Sequence, residues 1–158
     1  MKLDIGGEER FGVAGARLWA ALNDPSVLGR CIPGCKEMIA EGEDKFRVIL
    51  NLKVAAVGGS FEGSIALSEK QMPAHCRISV EGSGTLGHGA GHAAFSLLPE
   101  GESVTVLRYT GEGVIGGLVV GVGQRILKGV ARHLIGQFFT ALRREIGEAA
   151  PAAARTDA

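Results

Sequence analysis

From Cys35 to about Gly113 the chain runs through short stretches in which every second residue is apolar, and no helix-period segment interrupts them. Alternation of this kind puts one face of each strand against a core and the other in water. Parallel neighbours need a crossover of roughly a dozen residues, usually a helix. Consecutive strands without one must pair antiparallel, as a meander. The inward positions are Phe46, Val48, Leu50 and Leu52, then Phe61, Gly63, Ile65 and Leu67, then Cys76, Ile78 and Val80. Ala93, Phe95 and Leu97 follow, and after them Leu107 and Tyr109. Turn signals at Glu43-Asp44, Gly58-Gly59, Met72-Pro73-Ala74, Gly87 and Pro99-Glu100-Gly101 divide them.

The flanks complete the element order. Residues 2–12 alternate loosely and read as a first strand, and residues 15–22 (GARLWAAL) as a short helix carrying Trp19. Asp24-Pro25 is a helix start, with Asp24 as cap and Pro25 at the first helical position. A second short helix runs from there to about Arg30, and Pro33-Gly34 ends it. After the last strand, one long amphipathic helix is predicted from Gly117 to Gly147. At 100° per residue, Arg125, Lys128, Arg132 and Arg143 fall within about 60° of one another. Val119, Ile126, Leu127, Val130, Leu134, Phe138 and Leu142 lie opposite. The predicted fold is α+β: a curved antiparallel sheet of about seven strands wrapped around a long C-terminal helix, with two short helices after the first strand. A cavity between helix and sheet goes with that arrangement.

Composition narrows the function. Lys plus Arg and Asp plus Glu each number 17, so the basic excess of a nucleic-acid binder is missing. The start MKLDIGGEER has no apolar signal region, and the longest uncharged apolar run, Val114 to Gln124, falls short of the roughly 20 residues that span a bilayer. Three cysteines, Cys31, Cys35 and Cys76, then read as reduced thiols of a cytoplasmic protein. Glycine is in excess, 25 of 158 residues against an average of roughly 7%.

Particular residues carry a resemblance. The segment Asp24 to Cys35, with its RCIPGC core, resembles the N-terminal signature of the CoxG family of carbon monoxide dehydrogenase subunits. Gly59-Ser60-Phe61-Glu62-Gly63, the glycine-rich stretch Glu81 to Gly91, and Gly123-Gln124-Arg125-Ile126-Leu127 are similar to its later blocks. So are Gly129-Val130-Ala131-Arg132 and Gln137-Phe138-Phe139, and the similarity covers about residues 1 to 147 as one domain. The resemblance implies a START-like, polyketide-cyclase-like helix-grip fold. It also implies an accessory protein of molybdenum hydroxylases of the carbon monoxide dehydrogenase type. Such a protein would bind an apolar molecule, lipid or quinone-like, and assist assembly or membrane localisation of the enzyme. Residues 148–158, an Ala-rich stretch, are expected to form a disordered tail.

Other motifs carry little chemistry. Gly82 to Gly87 and Gly111 to Gly116 both spell G-x-G-x-x-G, but no second parallel strand can follow, so the dinucleotide-binding context is missing. Glycines that let strands bend are the better account. Cys31 and Cys35 lack a second close-spaced pair to complete a zinc tetrahedron. His88 and His92, four apart in a glycine-rich strand region, have no nearby carboxylate except Glu81 to complete a metal site. No inward position ionises near neutral pH, so neither a catalytic pair nor a cofactor is expected. Tyr109 is the single polar handle.

The expected function is therefore a non-enzymatic binder. Its candidate ligand-binding residues are Trp19 and Leu28 as walls, Phe61, Phe95 and Tyr109 as floor, and Val119, Val120, Gly123 and Leu127 on the helix, where Gly123 would allow close approach. The rivals are a cyclase- or hydrolase-like enzyme on the same fold and an adaptor with a filled core. The basic stripe Arg125, Lys128, Arg132 and Arg143 reads as a solvated face or as a weak contact with the anionic inner face of a membrane.

Overall fold

In the computed structural model, the alternation from Cys35 onward resolves into six strands. They are β2 (Cys35–Gly42), β3 (Lys45–Val54), β4 (Val57–Gln71), β5 (His75–Gly84), β6 (Gly87–Pro99) and β7 (Thr105–Gly116). Ahead of them come β1 (Lys2–Phe11), α1 (Gly15–Leu22) and α2 (Pro25–Cys31). The structure describes residues 1–54 and 57–147; the expected tail lies outside them. All seven strands form one sheet in the order β1-β7-β6-β5-β4-β3-β2. Every pairing is antiparallel, as the absence of crossover helices requires. The first strand closes the meander by pairing with the last, Lys2 opposite Val114 through Phe11 opposite Thr105.

The local signals act where the physics places them. The Asp24 carboxylate accepts the Ser26 amide at 2.9 Å, which satisfies one of the free donors at the start of α2. Gly34 takes φ +72 in the turn after α2. Asp44 at φ 57 turns the chain from β2 into β3. Two turns differ from expectation. The β3–β4 ladder continues to Val54 opposite Val57, so Gly58 and Gly59 pair with Lys53 and Leu52 inside β4. Thr85 and Leu86 make the β5–β6 turn, with Gly87 already paired to Gly84.

The C-terminal helix also differs. Gly117 (φ +96) and Gly123 (φ +98) occupy a backbone region that L side chains rarely adopt, and no α-helix passes through either. Between them the chain makes a 3-10 turn, Leu118–Val122, tied to the β5–β6 turn by the Val119 amide on the Leu86 carbonyl at 2.7 Å. The helix itself, α3, runs Gln124–Glu145. It is strapped to the edge strand β1 at three points. Gln124 donates to the Lys2 carbonyl at 2.6 Å, Lys128 pairs with Asp4 at 3.3 Å, and Arg143 pairs with Glu9 at 2.9 Å. Arg30 of α2 donates to Glu145 at 2.8 and 3.0 Å and holds the other side of the helix.

The packed core occupies one end of the molecule. Phe11, Leu18, Trp19, Leu22, Cys31, Phe95, Leu97, Leu107, Phe139, Leu142 and Ile146 form one buried cluster, drawn from α1, α2, the sheet and the C-terminal half of α3. Ring contacts bind it: Phe139 lies 6.0 Å from Phe11, 5.3 Å from Tyr109 and 5.5 Å from Phe138. Buried Thr105 closes the end by donating to the Val13 carbonyl at 2.8 Å.

Candidate functional site: an apolar cavity between sheet and helix

The other half of α3 does not meet a filled core. A cavity of about 400 Å³ lies between its first turns and β3, β4 and β5. Val48, Leu50 and Leu52 of β3, Phe61 and Ile65 of β4 and Val80 of β5 line the sheet side, all of them inward positions of the alternation. Leu127, Val130, Ala131 and Leu134 line the helix side, and Leu3, Ile32, Ile115 and Val119 close the ends. The hollow exists because the inner face of the sheet lacks side chains here. Gly63, Gly82 and Gly89 sit opposite one another on β4, β5 and β6, and Gly91 opposite Gly113. These glycines also let neighbouring strands come close. A Cβ on Gly91 would stand 2.5 Å from the Glu112 carbonyl oxygen, and one on Gly63 would collide with the Glu81 carbonyl. The same residues thus bend the sheet and empty its inner face. Val80 lines the cavity yet is 43% exposed, so the hollow opens to solvent.

The cavity wall offers shape and almost no chemistry. Glu62, Ser64, Glu81, Ser83 and His88 border it through the thin glycine wall, but they alternate with the inward residues and belong to the outer face. There the Glu62 carboxylate is bound by Arg47 at 2.9 and 3.2 Å, which lowers its pKa, and Ser64 meets Glu81 at 3.4 Å. Among the described residues, no group of three or more His, Cys, Asp or Glu is placed to hold a metal ion. His92 faces Glu112 at 3.3 Å across the outer face, away from His88's site against Gly116. Both G-x-G-x-x-G matches fall on strand backbone, one inside β7 and one at the end of β5 and its turn. All three cysteines are free thiols; burial pushes Cys31 up to about 11 and also raises Cys35 and Cys76.

The nine residues expected to bind ligand divide sharply. Phe61, Val119 and Leu127 line the cavity. Trp19, Phe95 and Tyr109 belong to the packed end: the Trp19 and Phe95 rings meet at a tilt, 6.0 Å apart, and Tyr109 rests on Phe139. Leu28 is buried in α2 and does not reach the hollow. Val120 lies in the 3-10 turn, outside the lining. Gly123 is a correction too. It caps α3 with positive φ and a Cβ there would meet nothing within 4 Å, so backbone conformation, not close approach, accounts for the glycine. Apart from Phe61, the large aromatics of this set mark where the protein is solid; the signal available for the cavity is the run of inward glycines on β4 to β6. Ile32, inside the RCIPGC segment, gave no such signal.

The basic stripe is likewise not one surface. Arg143 is a clamp: its side chain is 14% exposed, donates to the Arg10 carbonyl at 2.6 Å, and lies 4.3 Å over the Phe11 ring. Lys128 is engaged with Asp4. Arg125 and Arg132 are exposed and meet no carboxylate among the described residues. Ile126, assigned to the apolar face, is 52% exposed, and Leu118 beside the cavity-lining Val119 is 79% exposed.

A seven-stranded antiparallel sheet gripping a C-terminal helix over an apolar hollow defines the START-like, helix-grip class. The START superfamily protein of Mycobacterium smegmatis superposes with a TM-score of 0.72 at 13% identity, over 90% of this chain and 96% of that one. The Zhui aromatase/cyclase of a Streptomyces species superposes at 0.67 and 17% identity, over 92% and 94%. A conserved protein of Geobacillus kaustophilus is much nearer, at 0.89 and 35% identity over 91% and 95%. No curated protein sequence matches. The model of the CoxG family of carbon monoxide dehydrogenase subunits matches residues 7–147, and the chain belongs to that family.

Proposed function

We propose that this protein is a non-catalytic accessory factor that holds an apolar small molecule, lipid or quinone-like, in the cavity between sheet and α3. Its client is a molybdenum hydroxylase of the carbon monoxide dehydrogenase type, which it helps to assemble or to meet the membrane. One observation carries the ligand: an apolar hollow of about 400 Å³ beside an otherwise close-packed core. Natural cores leave few voids larger than a water molecule, and ligand sites are apolar clefts of about this size. Membership of a family named for a carbon monoxide dehydrogenase supports the client. The wall aligns no acid with a base, which favours holding over turnover. Near the start of α3, Arg125 and Ile126 are exposed, as is Leu118 of the preceding 3-10 turn, a combination of apolar and basic groups suited to peripheral contact with an anionic membrane. No described helix is long and apolar enough to cross one.

The test is chemical. Purified protein is extracted with organic solvent and the extract analysed by mass spectrometry, beside Ala131→Phe, which puts a ring into the hollow. A stoichiometric apolar compound present in wild type and absent from a variant of unchanged melting temperature is the expected result. An empty wild type that binds no added hydrophobic probe leaves only the filled-core adaptor.

A further inference from the structure

A second hollow lies along another side of α3. The end of α2 and the RCIPGC turn form one bank and the outer ridge of the helix the other, around an open groove of about 980 Å³. Its helix bank is Arg132, Gly136, Thr140 and Arg144, four residues apart, with a cation at each end and small groups between. His133 stands beside them. The groove's remaining charges cancel, because Arg30 is bound to Glu145. Neither Arg132 nor Arg144 meets a carboxylate among the described residues, and both are exposed. The middle of the ridge is kept low at a cost. Gly136 lies inside a helix, where glycine is less favourable than alanine, and a Cβ there would meet nothing within 4 Å. The fold itself gives no reason for that glycine.

We infer that this groove is a docking site for an acidic segment of a partner protein, with carboxylates on Arg132 and Arg144 and backbone seated over Gly136. Twelve residues of helix separate the two cations by about 18 Å. That separation matches carboxylates about twelve residues apart on a partner helix, or five to six apart on an extended strand. Concavity selects a protein chain over a bilayer: a flat lipid surface cannot enter a trough between two elements, whereas a single segment fills it. The groove shares only Ile32 with the cavity lining, and none of Arg132, Gly136 and Arg144 reaches the hollow, so the site stands whether or not the hollow holds a ligand.

The whole chain is titrated by fluorescence anisotropy against two labelled peptides, one helical and one extended, each with two glutamates about 18 Å apart. Glutamine versions serve as controls. The wild type should bind a glutamate peptide and not its control. Arg132→Gln with Arg144→Gln should weaken binding by about tenfold or more, while Arg125→Gln leaves it unchanged. Gly136→Leu retains both charges but blocks the trough, and should weaken binding as much with a melting temperature equal to or above wild type. Failure of both peptides to bind overturns the proposal, as does equal binding by the double variant or by Gly136→Leu. Phosphatidylglycerol vesicles bound by wild type and released by the double variant would assign the cations to lipid instead. A wild-type dimer in light scattering that becomes monomeric in both variants would assign the groove to a second copy. Extraction of the variants should return the wild-type ligand content, so loss here and loss of the cavity reading are separate results.

Discussion

At the residue scale, glycines in this chain stand in opposite surroundings, and substitution tells them apart. Gly91 faces a carbonyl oxygen so closely that its Cβ would stand 2.5 Å away, and Gly91→Ala should cost about 1–3 kcal/mol as strands are forced apart. Gly136 faces open space, and Gly136→Ala should gain up to about 1 kcal/mol. Urea denaturation of the two variants gives opposite signs; equal signs would mean that the close approach across β6 and β7 relaxes at little cost. The thiol of Cys31 supplies a pH signature. Burial raises its pKa to about 11, so the folded state holds the proton more tightly than the unfolded chain does. Its contribution to stability is then complete below about pH 9, where an unfolded thiol is protonated, and is lost as pH rises towards 11. Melting temperature should fall across that window in wild type and fall less in Cys31→Ala. Iodoacetamide at neutral pH should leave Cys31 unmodified until the protein unfolds.

At the element scale, what the sequence makes legible is whatever repeats. The alternation of Phe46 through Leu52 and of Cys76 through Val80 requires strands, and the structure has them with the same inward faces. Asp24-Pro25 announces α2, and the cap forms at 2.9 Å; Asp24→Ala should destabilise by about 1 kcal/mol in thermal melts. Single backbone angles have no period and stay hidden. The amphipathic pattern around α3 continues smoothly through residues 117–123, yet Gly117 and Gly123 at φ +96 and +98 break it into a 3-10 turn and a later helix. Gly123→Leu should therefore cost about 1–2 kcal/mol through the left-handed backbone alone, and leave the cavity open. Fully retained stability in that variant would show that the break at residue 123 comes from packing of the turn. Long-range partners are equally invisible in one dimension. Arg143 looks like part of a solvated stripe until β1 brings Glu9 to 2.9 Å and Phe11 beneath it. Tyr109 and Phe95 look like a cavity floor until Phe139 and Trp19 arrive from other elements and cover them.

At the scale of the whole molecule, one helix spans two environments, and its residues should report the difference. Leu142 is fully buried among Phe11, Leu18 and Ile146, at the solid end. Leu134, two turns earlier on the same apolar stripe, borders the hollow. Removing a leucine side chain costs its transfer free energy plus a term for the new void, and the second term depends on how completely the site was packed before. Leu142→Ala opens a cavity in a close-packed cluster and should cost about 3–5 kcal/mol. Leu134→Ala only enlarges an existing hollow and should cost about 1–2 kcal/mol, the transfer part alone. The contrast grows when a ligand is bound, because a ligand that touches Leu134 stabilises the folded state by mass action and Leu134→Ala weakens that binding. In delipidated protein the two leucines should thus differ by a factor of two or more in their effect on the urea midpoint. Adding an apolar ligand should raise wild type and Leu142→Ala alike, but raise Leu134→Ala less. Equal costs for the two leucines in the ligand-free state would mean that the hollow closes on itself in solution, and the division of this fold into a solid end and an open end would fall.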